Sequence, residues 1–323
     1  MSQYKTLAAL AVFTFLVGFS SLFVGAVDLS INEVISALTS MSEQDFIIKQ
    51  YRLPRFILAI GVGAGLGLSG ALVQGIIRNP LASPDLMGIS SGAGLAATAL
   101  LIYWPSAPLI WLPLSALTGG IVAALMITAL AYTSNPTPAR LALIGIAISA
   151  FLSSGIDFLM IVNPIEINTA MIWLTGSLWG RNWEQVPLIW WTLALLIPLS
   201  YWLAWRLDIM GLGEETAASL GVSPNKIQLL ALGCAVILAS VSVSVCGSIS
   251  FVGLLAPHLS RMLFGHNHKL LLPGAAIIGA LLVLASDVLA RGIQPPIELP
   301  AGVLTSLIGA PYFIFLLQRY KGW

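Results

Sequence analysis

The sequence predicts an all-α integral membrane protein with about ten transmembrane helices. The chain has 323 residues, of which 58% are hydrophobic and only 8% are charged, and its mean hydropathy is +0.95. A soluble protein of this length cannot bury so much apolar surface in its core, so the surface must face lipid. The apolar residues also fall in stretches of about 20 residues, the length with which a helix crosses the hydrocarbon layer.

Ten such stretches are predicted as spans. In chain order they are 7–27, 56–77, 87–103, 109–132, 140–162, 187–205, 227–246, 250–264, 270–290 and 301–317. The stretch 250–264 is short and contains His258 and Arg261, so it either tilts within the bundle or crosses only in part. Between the fifth and sixth spans, residues 168–183 are too few to cross and rich in tryptophan, which favours a helix at the membrane interface.

The distribution of basic residues predicts the orientation. With a cytoplasmic amino terminus, nine of the 14 Lys and Arg residues lie inside and five outside, which predicts that both termini are cytoplasmic. A cleavable signal peptide behind Lys5 is an alternative that would leave nine spans and one terminus on the other side. The formal net charge of +1, without a basic stripe, argues against a nucleic-acid partner.

One polar segment, residues 207–226, interrupts the apolar sequence. Within it, the helix formers at 214–220 lie between Gly213 and Gly221, which predicts a short helix bounded by turns. On the predicted topology this segment is cytoplasmic, where a soluble partner can push on it. An ordinary cytoplasmic loop is the alternative.

The chain contains no recognisable catalytic or metal-binding motif. It lacks the G-x-x-x-x-G-K-[ST] phosphate loop, so ATP, if used, is hydrolysed by another chain. His258 and Ser260 have no partner carboxylate or nucleophile elbow. His266 and His268 lie in a predicted solvated turn, and two imidazoles without further ligands make a poor metal site. We therefore expect no catalytic residue, no bound cofactor and no metal in this chain.

Small residues in the second span predict close helix packing. Gly61, Gly63, Gly65, Gly67 and Gly70 recur at a spacing that lets helix backbones approach one another. The two halves of the chain also resemble each other weakly, since 67–88 and 246–265 both end a span near a proline. Spans two to five and seven to ten would start on opposite sides of the membrane, which is a weak inverted repeat.

Two aspartates lie inside predicted spans, where an ionised group costs about 2.5–3.5 kcal/mol. Asp287 precedes Arg291 by four residues, so the two are predicted to pair on one helix face. Asp157 follows two serines and either lines a polar route or caps a neighbouring helix.

Six motifs occur in order along nearly the whole chain. They are RLPR (52–55), SGALVQGIIRNPLASPDLMG (69–88), WLTGSLWG (173–180), LGEETAASLGV (212–222), GSISFVGLLAPHLSRMLFG (247–265) and ELPAGVLTSLIGAPYFIFLLQR (298–319). This set resembles the iron-chelate and vitamin B12 permease family, the membrane subunits of type II ABC importers. YRLPR (51–55) and WLTGSLWGR (173–181) are most similar to its ferric citrate branch.

The resemblance implies a single permease domain over 1–323 that pairs with a second permease subunit, as a homodimer or, as we favour, a heterodimer. It implies two cytosolic ATPase subunits, which use ATP and Mg²⁺, and a periplasmic substrate-binding protein. The cargo would be an iron(III) chelate, ferric citrate or another siderophore, imported across the bacterial inner membrane by alternating access. Cobalamin and haem are alternatives within the family. An ion-coupled secondary metal transporter, with Asp157 as coupling site, is the alternative from another class.

The resemblance also implies three sets of functional residues. The segment 207–226 would form coupling helices that dock on the ATPase through Glu214, Glu215, Ala217, Leu220 and Gly221. The binding protein would dock through its acidic residues on Arg52, Arg55 and Arg291, a task that suits the bidentate guanidinium. A cytoplasmic gate would be formed by Asn79, Pro80 and Leu81.

Overall fold

The computed structural model describes residues 3–25, 27, 29–39, 46–108, 110–131, 138–164 and 167–319. Within these ranges the chain is almost entirely helical, which confirms the predicted all-α class. The α-helices are α1 (Gln3–Ser20), α2 (Ile31–Thr39), α3 (Leu53–Ile77), α4 (Ile89–Tyr103), α5 (Trp111–Ala131), α6 (Pro138–Val162), α7 (Ile167–Leu174), α8 (Val186–Met210), α9 (Glu214–Ser219), α10 (Pro224–Cys246), α11 (Val252–Phe264), α12 (His268–Gly292) and α13 (Ala301–Arg319). A π-helical segment, Ile47–Arg52, leads into α3, and a 3-10 turn, Pro84–Met87, precedes α4.

Each predicted span overlaps one helix, but the helices differ in length. Among the described residues, seven helices are long and apolar enough to cross a membrane, namely α1, α3 with its π-helical extension, α5, α6, α8, α10 and α12. The apolar stretches of α4 and α13 are shorter. Helix α11 has 13 residues and rises only about 20 Å, less than the roughly 30 Å hydrocarbon layer. The count of ten complete spans therefore stays a prediction, and the partial crossing considered for 250–264 fits the length of α11.

Two predicted boundaries were wrong. The first span was expected to reach residue 27, but α1 ends at Ser20. The interfacial helix expected over 168–183 is limited to α7, because the chain turns at Gly176, whose φ is 71°. A Cβ at Gly176 would collide with the carbonyl oxygen of Ser248, so only glycine fits this turn.

Helix α3 is the buried centre of the bundle and packs against α8, α10, α11 and α12. A Cβ on Gly63 or Gly67 would collide with backbone carbonyl groups of α12. A Cβ on Gly70 would collide with the backbone of α11 at Gly253. These contacts confirm the close packing predicted from the glycines, because the backbones touch where side chains are missing.

Helix α8 has 25 residues and is therefore about 37 Å long. Its two termini mark the two ends of the helix bundle. We call the end that holds the start of α3, the end of α12 and the start of α8 the outer end. The opposite end, which holds α9, is called the inner end. These names follow the predicted topology.

Candidate functional sites

Helix α9 at the inner end is the short helix predicted in the polar segment. It runs from Glu214 to Ser219 between two glycines with positive φ, Gly213 at 108° and Gly221 at 81°. Most of the remainder of 207–226 belongs to neighbouring helices, since α8 continues to Met210 and α10 starts at Pro224. Only one separate helix therefore forms in this segment, not several.

One face of α9 is anchored and the other is open. Ala217 is fully buried, and its carbonyl accepts a hydrogen bond from Val222 N–H at 2.9 Å. Glu215 is exposed, and 56% of Leu220 is exposed. The two glutamates lie in the first turn, where carboxylates interact favourably with the helix dipole. The helix thus presents an acidic and apolar surface while it stays fixed to α8 and α10.

Helix α9 also contacts the end of α3, through a residue that the sequence analysis did not assign. Arg78 Nη2 lies 3.7 Å from Glu214 Oε1, and Gln228 Nε2 donates a hydrogen bond to the same oxygen at 3.1 Å. Arg78 has a left-handed backbone with φ of 53° and terminates α3. Because both side chains are exposed, the ion pair contributes at most about 1 kcal/mol. The ion pair therefore contributes little to stability, but it connects α9 to the end of α3, directly before the predicted gate.

The predicted gate residues form a compact turn directly after Arg78. The side-chain oxygen of Asn79 accepts a hydrogen bond from Leu81 N–H at 2.9 Å, an Asx turn. Behind the turn, Gln74 Nε2 donates to the carbonyls of Ala82 at 3.2 Å and Leu254 at 3.3 Å. The turn is thereby connected to α11, whose Arg261 donates to Gln74 at 3.1 Å.

A cavity of about 630 Å³ lies beside this turn, between α3, α8, α11 and α12. Asp208 and His268 form part of its wall, and His268 Nδ1 lies 2.6 Å from Asp208 Oδ1. The side chain of His268 is only 13% exposed, so the expected solvated turn was wrong at this residue. Asp208 also accepts the backbone N–H of His268 at 3.0 Å, one of the N–H groups at the start of α12 that have no partner within the helix. Within the described ranges, no group of three potential ligands could hold a metal.

At the outer end, Arg55 and Arg291 converge on one buried carboxylate. Arg55 Nη2 lies 2.7 Å from Asp287 Oδ1, and Arg291 Nη2 lies 3.0 Å from Asp287 Oδ2. Arg55 also pairs with Glu298 at 2.7 Å. Asp287 is 2% exposed and Arg291 is 4% exposed. The pair predicted between Asp287 and Arg291 is confirmed, and Arg55 and Glu298 extend it into a four-residue network.

Arg52 lies next to this network and is also buried. Its guanidinium donates to the carbonyl of Leu22 at 2.6 Å and to the carbonyl of Val27. Arg291 donates to the carbonyl of Val24 at 2.7 Å. All three arginines expected to dock a binding protein therefore have partners within this chain. Docking remains a prediction, and it requires the arginines to exchange or share these partners.

The outer network borders a cavity of about 440 Å³. Four arginines line it, namely Arg52, Arg55, Arg181 and Arg291. Glu298 is the one carboxylate among the described residues of its lining. Tyr51 and Trp179 also line the cavity and are 53% and 64% exposed. Arg181 differs from the other three because its Nε is buried and has no hydrogen-bond partner in the described structure.

Asp157 is exposed on α6. It is not among the described residues that line the inner or the outer cavity, and its role in a polar route stays a prediction.

Comparison with known proteins gives a consistent result over almost the whole length. A family model described as the FecCD transport family matches residues 12–319. The chain is 48% identical to the Fe(3+)-citrate import system permease protein YfmE of Bacillus subtilis, covering 96% of this chain and 93% of that protein. It is 44% identical to the Fe(3+) dicitrate transport system permease protein FecD of Escherichia coli, covering 93% and 94%. A solved inward-facing structure of a metal-chelate type ABC transporter superposes with a TM-score of 0.88, at 33% identity and 98% and 99% coverage.

Proposed function

Because the chain belongs to the FecCD transport family, we propose that it carries ferric citrate inward across the bacterial inner membrane. In this proposal it is the permease subunit of an ATP-binding-cassette importer, and both termini are cytoplasmic. The observation that supports this cargo most directly is the similarity to two permeases named for ferric citrate, at 48% and 44% identity. A second permease subunit, preferably a different chain, completes the transport route.

The inner end supports coupling to a separate ATPase. Helix α9 is anchored by Ala217 and exposes Glu215 and Leu220, which suits a helix that docks in a cleft of a soluble partner. ATP and Mg²⁺ belong to that partner in this proposal, and no covalent change of the cargo is needed. Movement of α9 would reach the turn at Asn79–Leu81 through Arg78, which pairs with Glu214.

The outer end supports docking of a periplasmic binding protein. Its arginines are held in fixed positions by carbonyl groups and carboxylates. A carboxylate on the binding protein would compete with Asp287 and Glu298 for Arg55, so docking is expected to rearrange this network. Such exchange of charged partners responds strongly to ionic strength where it occurs near solvent.

The proposed cargo is tested by uptake in vesicles. The chain is reconstituted with its co-encoded permease, its ATPase and its binding protein, and the uptake of radiolabelled ferric citrate is followed with and without ATP. Hydroxamate and catecholate siderophores, haem and cobalamin serve as unlabelled competitors. We expect ATP-dependent uptake that only ferric citrate displaces.

Other results would change the proposal in defined ways. Displacement by another chelate would retain the importer and replace its cargo. Uptake without ATP that Asp157→Asn abolishes would instead support the ion-coupled secondary transporter.

A further inference from the structure

We propose that the outer cavity binds a carboxylate of the transported chelate, and that Arg181 is the guanidinium that receives it. The inference rests on the proposed citrate cargo and extends it to a residue without an assigned role. The cavity measures about 440 Å³, within the range of about 300–1,000 Å³ that is usual for small-ligand sites.

The hydrogen-bonding state of Arg181 is the first argument. Its Nε is inaccessible to solvent and has no partner among the described residues. Burial lowers the pKa of Arg181, and no described carboxylate offsets that effect. An arginine nevertheless remains charged in a protein. Arg181 as a whole is half-buried, so its charge is only partly solvated, and an incoming carboxylate would supply both a counter-ion and acceptor atoms.

The second argument is that two neighbouring arginines already have carboxylate partners. Arg55 binds Asp287 and Glu298, and Arg291 binds Asp287. A carboxylate on Arg181 would leave these ion pairs in place. The cavity therefore has one guanidinium without a described carboxylate partner, beside two arginines whose charges are balanced by Asp287 and Glu298.

The third argument is the local backbone that holds Arg181. Gly180 has a φ of 70°, and a Cβ at this position would meet nothing within 4 Å. The turn therefore requires glycine for its backbone conformation and not for close packing. Trp183 fixes the same loop by donating from Nε1 to the carbonyl of Lys49 at 2.7 Å. The loop is thus tied to the π-helical segment, which also lines the cavity.

A carboxylate of the cargo and an acidic side chain of the binding protein share this chemistry, and we assign Arg181 to the cargo because other arginines of this end are proposed to dock the binding protein. The Nε of Arg181 has no solvent contact, whereas Tyr51 and Trp179 in the same lining are more than half exposed. A small, mobile carboxylate can enter the cavity beside these two exposed side chains. A citrate chelate carries carboxylates of this kind.

The test measures citrate binding directly, without transport. The assembled transporter, in lipid nanodiscs and without its binding protein, is dialysed to equilibrium against radiolabelled citrate and, separately, ferric citrate. We expect saturable binding, weakened about 10- to 100-fold by Arg181→Gln, the range typical of a lost charged hydrogen bond. Arg206→Gln is the matched control, since Arg206 lies near the other end of α8 and stacks on Trp202 at 3.5 Å. This control should bind like the wild type.

Three results of the binding assay would overturn the proposal. They are wild-type protein that binds neither probe, Arg181→Gln that binds as tightly as wild type, and equal weakening by the Arg206 control. If Arg181→Gln does not assemble, Arg181→Lys replaces it, because it keeps the charge and removes the Nε donor. Weaker docking of the cargo-free binding protein to Arg181→Gln, without any citrate binding, would assign the carboxylate to the binding protein and also refute the proposal.

Ferric citrate uptake by the wild type distinguishes a failure of this proposal from a failure of the proposed function. Citrate binding without ferric citrate uptake would refute the proposed cargo. Ferric citrate uptake without citrate binding at the outer cavity would refute only the role of Arg181.

Discussion

Replacing Asp287 by asparagine should destabilise the folded protein strongly. The change is nearly isosteric, but it removes the charge that two guanidiniums share. Asp287 Oδ1 accepts from Arg55 Nε at 2.9 Å and lies 2.7 Å from Arg55 Nη2. Its other oxygen lies 3.0 Å from Arg291. Since Asp287 is 2% exposed, water cannot replace the lost carboxylate.

The expected loss is about 3 kcal/mol of unfolding free energy, the lower end of the range for breaking a buried ion pair. The lower end applies because asparagine keeps one acceptor oxygen and Arg55 keeps Glu298. Glu298→Gln is the matched comparison, since Glu298 contacts Arg55 at 2.7 Å but is 21% exposed. Its loss should be about 1 kcal/mol, because solvent screens the remaining charge.

Both variants are compared with wild type in mixed micelles by SDS titration, with tryptophan fluorescence as the measure of unfolding. Membrane insertion is checked separately by fractionation. If Asp287→Asn is no less stable than Glu298→Gln, the buried network does not contribute to stability as the geometry indicates.

Three further changes test coupling, docking and packing. Glu215→Arg should reduce uptake and transporter-stimulated ATPase activity while leaving insertion intact, and unchanged uptake would remove Glu215 from the coupling surface. Arg52→Glu with Arg55→Glu should weaken binding-protein docking, with a reduced dependence on salt in binding titrations. Wild-type affinity in a folded double variant would exclude these arginines from docking. Gly63→Ala should lower the free energy of unfolding by about 1–3 kcal/mol in the SDS titration, because the new Cβ collides with α12. Gly233→Ala is the control and should be neutral or slightly stabilising, because a Cβ there meets nothing within 4 Å. Equal effects of the two changes would contradict the packing argument.

Local patterns in the sequence predicted the features that depend on neighbouring residues. The short helix α9 follows from helix formers between Gly213 and Gly221, and both glycines adopt the positive φ that such turns need. The pair between Asp287 and Arg291 follows from a spacing of four residues on one helix. The close approach of α3 to α12 follows from the small residues of the second span.

Features that depend on tertiary contacts could not be predicted in the same way. Arg55 is 232 residues away from Asp287 in the sequence, so no local pattern indicates their contact. Arg78 looked like an ordinary basic residue at the end of a span, and only the fold brings it to Glu214. The length of α7 was overestimated because the limit is set by the backbone of Ser248, which lies beside Gly176.

The packing of α3 also restricts how a movement of α9 would reach the turn that is predicted to form a gate. Helix α3 is in backbone contact with α12 at Gly63 and Gly67, so the two helices cannot slide past each other without opening the bundle. Its last residues, by contrast, continue into a turn whose link to α9 is an exposed ion pair. Displacement of α9 is therefore expected to move the turn at Asn79–Leu81 against a fixed α3. We expect the turn to rotate about Arg78, the residue with left-handed backbone at which α3 ends.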